Sequence, residues 1–256
     1  MTGRPATSAT AGTAPVAVVT AMREELTPLL GRARIAEELR LGSLQVHRGQ
    51  IGDTEVLLTH SGEGAHQAEE AARALLERFP VSMLLVLGTA GGLQPGLRSG
   101  AIVAAGSLRR GSTPAPAPDP ALVERAVRAG ALRGTVVSAS RMLCTSAAKA
   151  AAWAECDTDS PAVVDLESAA FARVASERDV PCLVVRAVCD AADEDLPFDF
   201  NLFTNERGGV RRAAVAREAL LHPGSLPRLM DLRRRVQRSA ERLAKFAEDF
   251  LDGETP

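Results

Sequence analysis

Residues 15–20, 82–87 and 182–188 are nearly unbroken apolar runs, rich in Val and Leu, and read as strands buried on both faces. Residues 44–48 alternate instead and meet a turn-like Gly49-Gln50-Ile51-Gly52-Asp53. Residues 55–60 follow as the second arm of a hairpin. After Ser61-Gly62-Glu63-Gly64, the positions Ala68, Ala71, Ala72, Leu75, Leu76 and Phe79 keep the spacing of one helical face. Residues 101–105, 134–138 and 162–164 complete the strand set. Strands alternating with helices predict an α/β fold, a mixed central sheet with helices on both sides.

The ends of the chain differ from this pattern. Residues 1–14 are mostly Thr, Ala, Gly, Ser and Pro and read as a disordered leader without the apolar core of a signal peptide. Residues 15–256 then form a single domain, with 218–256 as a C-terminal helical extension. Its helix, from about Leu226, carries Leu229, Leu232, Val236, Leu243, Phe246 and Phe250 on one face. Arg228, Arg233, Arg234, Arg235, Arg238 and Arg242 lie on the other. The plain reading is a terminal helix packed on the domain with a solvated basic face; the sharper one is peripheral contact with an anionic membrane surface. Residues 111–118 are Pro-rich and read as an exposed loop.

Composition narrows the partners. With 256 residues and a net charge of −2, one ordinary domain is expected and nucleic acid is not implied. One Trp and no Tyr argue against an aromatic base-stacking platform. Cys144, Cys156, Cys182 and Cys189 lack zinc-type spacing, which points to a reducing cytosol. No apolar run approaches the roughly 20 residues of a membrane span. His60 and His66 flank a glycine turn and lack a third metal ligand, so no metal is expected.

The chemistry concentrates at strand ends, where α/β folds bind ligands. Glu167, in Val163-Val164-Asp165-Leu166-Glu167-Ser168, opens a helix. Asp190 closes the strand Arg186-Ala187-Val188-Cys189-Asp190. Gly88-Thr89-Ala90-Gly91-Gly92 follows another strand and lets a ligand approach the backbone. It is neither a Walker loop nor a dinucleotide fingerprint. Asp193, Glu194, Asp195 and Asp199 read as a solvated loop that helps close the site.

Four motifs in order, Ala21-Met22-Arg23-Glu24-Glu25, Gly88-Thr89-Ala90-Gly91-Gly92, Asp165-Leu166-Glu167 and Arg186-Ala187-Val188-Cys189-Asp190, together resemble the nucleoside phosphorylase/nucleosidase superfamily. The nearest branch is the 5′-methylthioadenosine/S-adenosylhomocysteine nucleosidases, and the match spans roughly residues 15–203. The resemblance implies a three-layer α/β/α sandwich, a homodimer and metal-free, cofactor-free cleavage of a ribosyl–base bond in a small nucleoside. By it, Asp190 protonates the purine, Glu25 activates water, and Glu167 accepts the ribose hydroxyls. Thr89, Ala90 and Gly91 lie beside the sugar and base, Leu166 packs near the sugar, and Met142 and Leu143 line the base pocket. To hold its proton, Asp190 is expected to need burial or a neighbouring carboxylate.

The arginines that bind phosphate in phosphorylases are missing, and Glu24-Glu25 would repel an anion, so hydrolysis is expected over phosphorolysis. Cys189 stands for the usual Ser, Leu166 for Met and Met142 for an aromatic. Leu196-Pro197-Phe198-Asp199-Phe200-Asn201 and the basic helix look more like hopanoid-associated members, thought to act on adenosylhopane. Futalosine hydrolysis is a third option. A catalytically dead nucleoside-binding protein is the non-enzyme alternative, against which the trio Glu25, Glu167 and Asp190 argues.

Overall fold

The computed structural model describes residues 14–156, 159–205 and 208–253. The expected leader, apart from Ala14, lies outside the described residues. The element order is β1 (Val16–Thr20), α1 (Arg23–Leu30), β2 (Arg34–Leu41), β3 (Leu44–Ile51), β4 (Thr54–His60), α2 (Ala65–Arg78), β5 (Met83–Gly92), β6 (Ile102–Arg110) and β7 (Thr113–Pro114). Then follow α3 (Pro120–Arg128), β8 (Leu132–Ser138), α4 (Ser146–Ala154), β9 (Ala162–Asp165), α5 (Ser168–Glu177), β10 (Cys182–Asp190), a 3-10 helix (Phe200–Phe203), α6 (Arg212–Leu221) and α7 (Leu226–Asp252).

These elements build the mixed α/β sheet that the apolar pattern predicts. The order runs β10-β6-β8-β9-β5-β1-β4-β3-β2, and an added pairing of β10 with β5 closes the first five strands on themselves. The runs read as doubly buried are the central strands: β1, β5 and β10 pair in parallel. The predicted hairpin is β3–β4, antiparallel from Val46↔Thr59 to Ile51↔Thr54. Two apolar layers flank the sheet. One gathers Ala68, Ala72 and Leu75 of α2 with Phe171 and Val174 of α5. The other gathers Leu26 and Leu29 of α1 with Leu243, Phe246 and Phe250 of α7.

Two elements depart from the sequence pattern. β2 is mostly exposed and charged, an edge strand without the alternation that would announce it. The arginines of α7 are not one solvated face. Arg235 pairs with Glu194 and Asp231, Arg242 donates to the Gly100 carbonyl (2.8 Å), and Arg228 donates to that of Asp195 (2.8 Å).

Candidate active site

The site opens where β5 changes neighbours. The register of β1 with β5 ends at Val86, and that of β9 begins at Gly91. In the stretch between, the backbone of Thr89 turns to a side chain: its N–H donates to Glu25 Oε1 (2.7 Å), and its hydroxyl donates to the same oxygen (2.9 Å). Glu25 is the third residue of α1, and its Oε2 also accepts from the Met22 N–H (3.0 Å), as a capping glutamate does. The carboxylate is buried, and burial raises its pKa against the lowering influence of the Thr89 N–H and the Arg186 charge. Glu25 is thus a helix cap and, at the same time, a desolvated carboxylate on the cavity wall.

Glu167 sits at the junction of β9 and α5, the position expected for it. Its Oε1 accepts from the N–H of Gly64 (2.7 Å) at the start of α2. Gly64 has φ 100°, where a side chain would be strained, so glycine there brings an N–H against the acid. Burial, then the nearby Asp165 charge, lift the Glu167 pKa from its usual 4.5 to about 8. Beneath it Arg186 pairs with Asp165 (2.5 Å), both buried, and Ser168 Oγ bridges them. Ser138 Oγ holds the other Asp165 oxygen (2.7 Å). This locked pair fixes β9 to β10 below the carboxylates.

Asp190 follows a β-bulge: Val188 pairs with Ala90 and Asp190 with Gly91, leaving Cys189 as the extra residue. Bulges beside sites re-aim a side chain, and here the shift brings Asp190 beside Gly91. The Cys189 thiol donates to Asp190 Oδ1 (2.8 Å). Burial and the Asp190 charge hold that thiol well above its ordinary pKa, so it stays a donor. The burial expected around Asp190 is present. Its charged neighbour, however, is an ammonium: Lys149 Nζ lies 2.5 Å from Oδ2.

Glu25, Glu167, Asp190, Leu166, Thr89, Ala90, Gly91, Met142 and Leu143 all line one cavity of about 570 Å³, a size suited to a small ligand. Asn201 fixes Met142 by accepting its N–H and donating to its carbonyl, both at 3.0 Å. The same cavity is also lined by the apolar side chains Leu196, Phe200, Val210, Leu229, Leu232 and Val236, with Arg212, Arg233 and Gln237 among them. The first half of the apolar stripe on α7 therefore lines the cavity, while its second half packs in the core. The acidic run is bonded rather than simply solvated. Glu194 pairs with Arg235, Asp195 accepts from the Ser146 N–H (2.6 Å), and Asp199 accepts from that of Asn201 (3.1 Å). Sequence reasoning missed Lys149 and the Asp165–Arg186 pair. A single lysine inside Ser146-Ala147-Ala148-Lys149-Ala150-Ala151 was the available signal. Among the described residues no group of three His, Cys, Asp or Glu is placed to hold a metal ion.

The model of the family described as the Phosphorylase superfamily matches residues 15–221. The chain belongs to that family. Within the Phosphorylase superfamily it is 28% identical over 219 residues to the 5′-methylthioadenosine/S-adenosylhomocysteine nucleosidase of Shewanella denitrificans, covering 75% of this chain and 93% of the relative. Among solved structures, the Helicobacter pylori nucleosidase of the same name superposes with a TM-score of 0.75 at 21% identity, over 94% of this chain and 99% of the other. The futalosine hydrolase of Helicobacter pylori gives 0.74 at 21% identity, over 94% and 98%. These superpositions establish a shared fold.

Proposed function

We propose that the chain is a purine nucleoside N-ribosyl hydrolase that releases adenine from a 5′-substituted adenosine of the methylthioadenosine or S-adenosylhomocysteine type. The observation that carries this reading is the position of Glu25. It takes the Thr89 N–H and hydroxyl, the donors a phosphate would need, within the cavity that also holds Glu167 and Asp190. Three cations near them are committed to carboxylates, Arg186 to Asp165, Lys149 to Asp190 and Arg212 to Glu24. A carboxylate at that place suits water and repels an anion.

In the proposed reaction a proton taken up with the substrate passes through Asp190 to N7 of the base, and the electrons of the C1′–N bond leave with adenine. Water forms the new bond to C1′, and its proton passes to Glu25, whose burial makes it the stronger base. Glu167, held by the Gly64 N–H, exchanges hydrogen bonds with the vicinal ribose hydroxyls and fixes the sugar between the two. Thr89, Ala90, Gly91 and Leu166 flank the sugar, and Met142 and Leu143 line the base. The resemblance supports a homodimer, and the four buried free thiols accord with a reducing, cytoplasmic setting.

A second reading concerns the 5′ group alone. The apolar lining contributed by Leu196, Phe200, Leu229, Leu232 and Val236 favours a long apolar substituent, as in adenosylhopane. The exposed Leu220, Leu221 and Met230 and the exposed Arg233 and Arg234 would then support peripheral contact with an anionic membrane. The test is adenine release by purified protein from 5′-methylthioadenosine, S-adenosylhomocysteine and a long-chain 5′-alkyl adenosine. Highest kcat/KM on the first two supports the main reading; preference for the alkyl substrate supports the second. Release of hypoxanthine from an inosine-type substrate, with adenosines untouched, would replace both by a futalosine-type activity.

A further inference from the structure

Lys149 is one of two lysines in a chain with 30 basic residues, and it is wholly buried. Burying an ammonium costs several kcal/mol unless every donor is met in good geometry. Here all three are. Nζ donates to Asp190 Oδ2 (2.5 Å), to the Ala191 carbonyl (2.8 Å) and to the Glu194 carbonyl (2.8 Å). A compact three-donor head suits this cluster, as a planar guanidinium would not. Asp190 lines the cavity, and Lys149 stands behind it on α4.

The surroundings hold the lysine's acceptors in place. The Glu194 carboxylate is gripped by Arg235 of α7, and Asp195 accepts from the Ser146 N–H at the start of α4 (2.6 Å). Ser239 of α7 donates to the Val188 carbonyl (3.1 Å), just before the bulge. Helix α4, the end of β10 and the 191–195 turn therefore meet at one ammonium, and α7 braces the turn from outside.

The geometry points to Lys149 as a positioning residue for the leaving-group acid: it fixes the direction in which the Asp190 carboxyl faces the cavity and balances the carboxylate left after proton transfer. This rests on the N-ribosyl hydrolase reading. Lys149 touches neither sugar nor base, so its effect passes entirely through Asp190. Its removal should matter where the leaving group needs a proton and matter little where it does not.

The experiment compares wild type, Lys149→Met, Asp190→Asn and the double variant on two substrates. One is the best adenosine substrate; the other is a para-nitrophenyl riboside with the same 5′ group, whose leaving group departs without a proton. Lys149→Met should lower kcat for adenine release on the order of 10²-fold, within the range of general acid catalysis, with KM changed far less. On the nitrophenyl riboside its loss should be several-fold at most. The double variant, which buries no unpaired charge, should lose no more than Asp190→Asn alone. Equal loss on both substrates, or additive loss in the double variant, overturns the proposal, as does undiminished kcat in Lys149→Met. Wild-type protein inactive on both substrates overturns the hydrolase reading itself, and this proposal with it.

Discussion

Glu167 carries the most testable electrostatics of any residue in the chain. Its pKa is raised from 4.5 to about 8 in the fold, so the folded state holds a proton that the unfolded chain has released. Stability from this group is therefore complete below the unfolded value and is lost as pH rises through the folded one. The Tm of ligand-free protein should fall as pH goes from 4.5 to 8, and Glu167→Gln should flatten that decline. An equal slope in both proteins would contradict the assignment. Gly88 gives a steric counterpart, since a Cβ there would lie 1.9 Å from Arg186 Nη1. The guanidinium is pinned by Asp165 and Ser168 and has nowhere to retreat. Gly88→Ala should cost about 3–5 kcal/mol by breaking a buried pair, read by urea unfolding. At this scale Glu25, Glu167 and Asp190 were legible because strand ends and motif order announce them. Lys149 was not, because a lysine in an alanine-rich helix reads equally as a solvated surface residue. Only the long-range packing of α4 against the end of β10 turns it inward.

At the scale of elements, the apolar runs marked the central strands and the β3–β4 hairpin well. Strand β2 escaped because an exposed, charged edge leaves no buried face to impose alternation. Helix α7 was legible as a helix but not in its allegiance. One stripe of apolar residues serves two surfaces, the cavity through Leu229, Leu232 and Val236 and the core through Leu243, Phe246 and Phe250. The second half is therefore structural. Phe250 is buried beside Phe246, with the Arg125 guanidinium 4.1 Å from its ring centroid. Phe250→Ala should destabilise the protein by about 3–5 kcal/mol, while Leu229→Ala should chiefly alter KM for substrates with large 5′ groups. Thermal melts and steady-state kinetics on the two variants separate these roles.

For the whole molecule, the decisive event is the closure of the sheet through a strand with three neighbours. Periodicity describes single elements and is silent on β5 pairing with β1, β10 and β9 in turn. That change of partner leaves the Thr89 donors to Glu25 and brings three carboxylates around one cavity. The central claim is that this arrangement selects water over phosphate. Its most direct test is the sugar product formed from 5′-methylthioadenosine by purified protein, with phosphate absent and then in excess. The account predicts adenine and a free reducing sugar at the same rate in both. Adenine release only with phosphate, with the sugar recovered as its 1-phosphate, would contradict it.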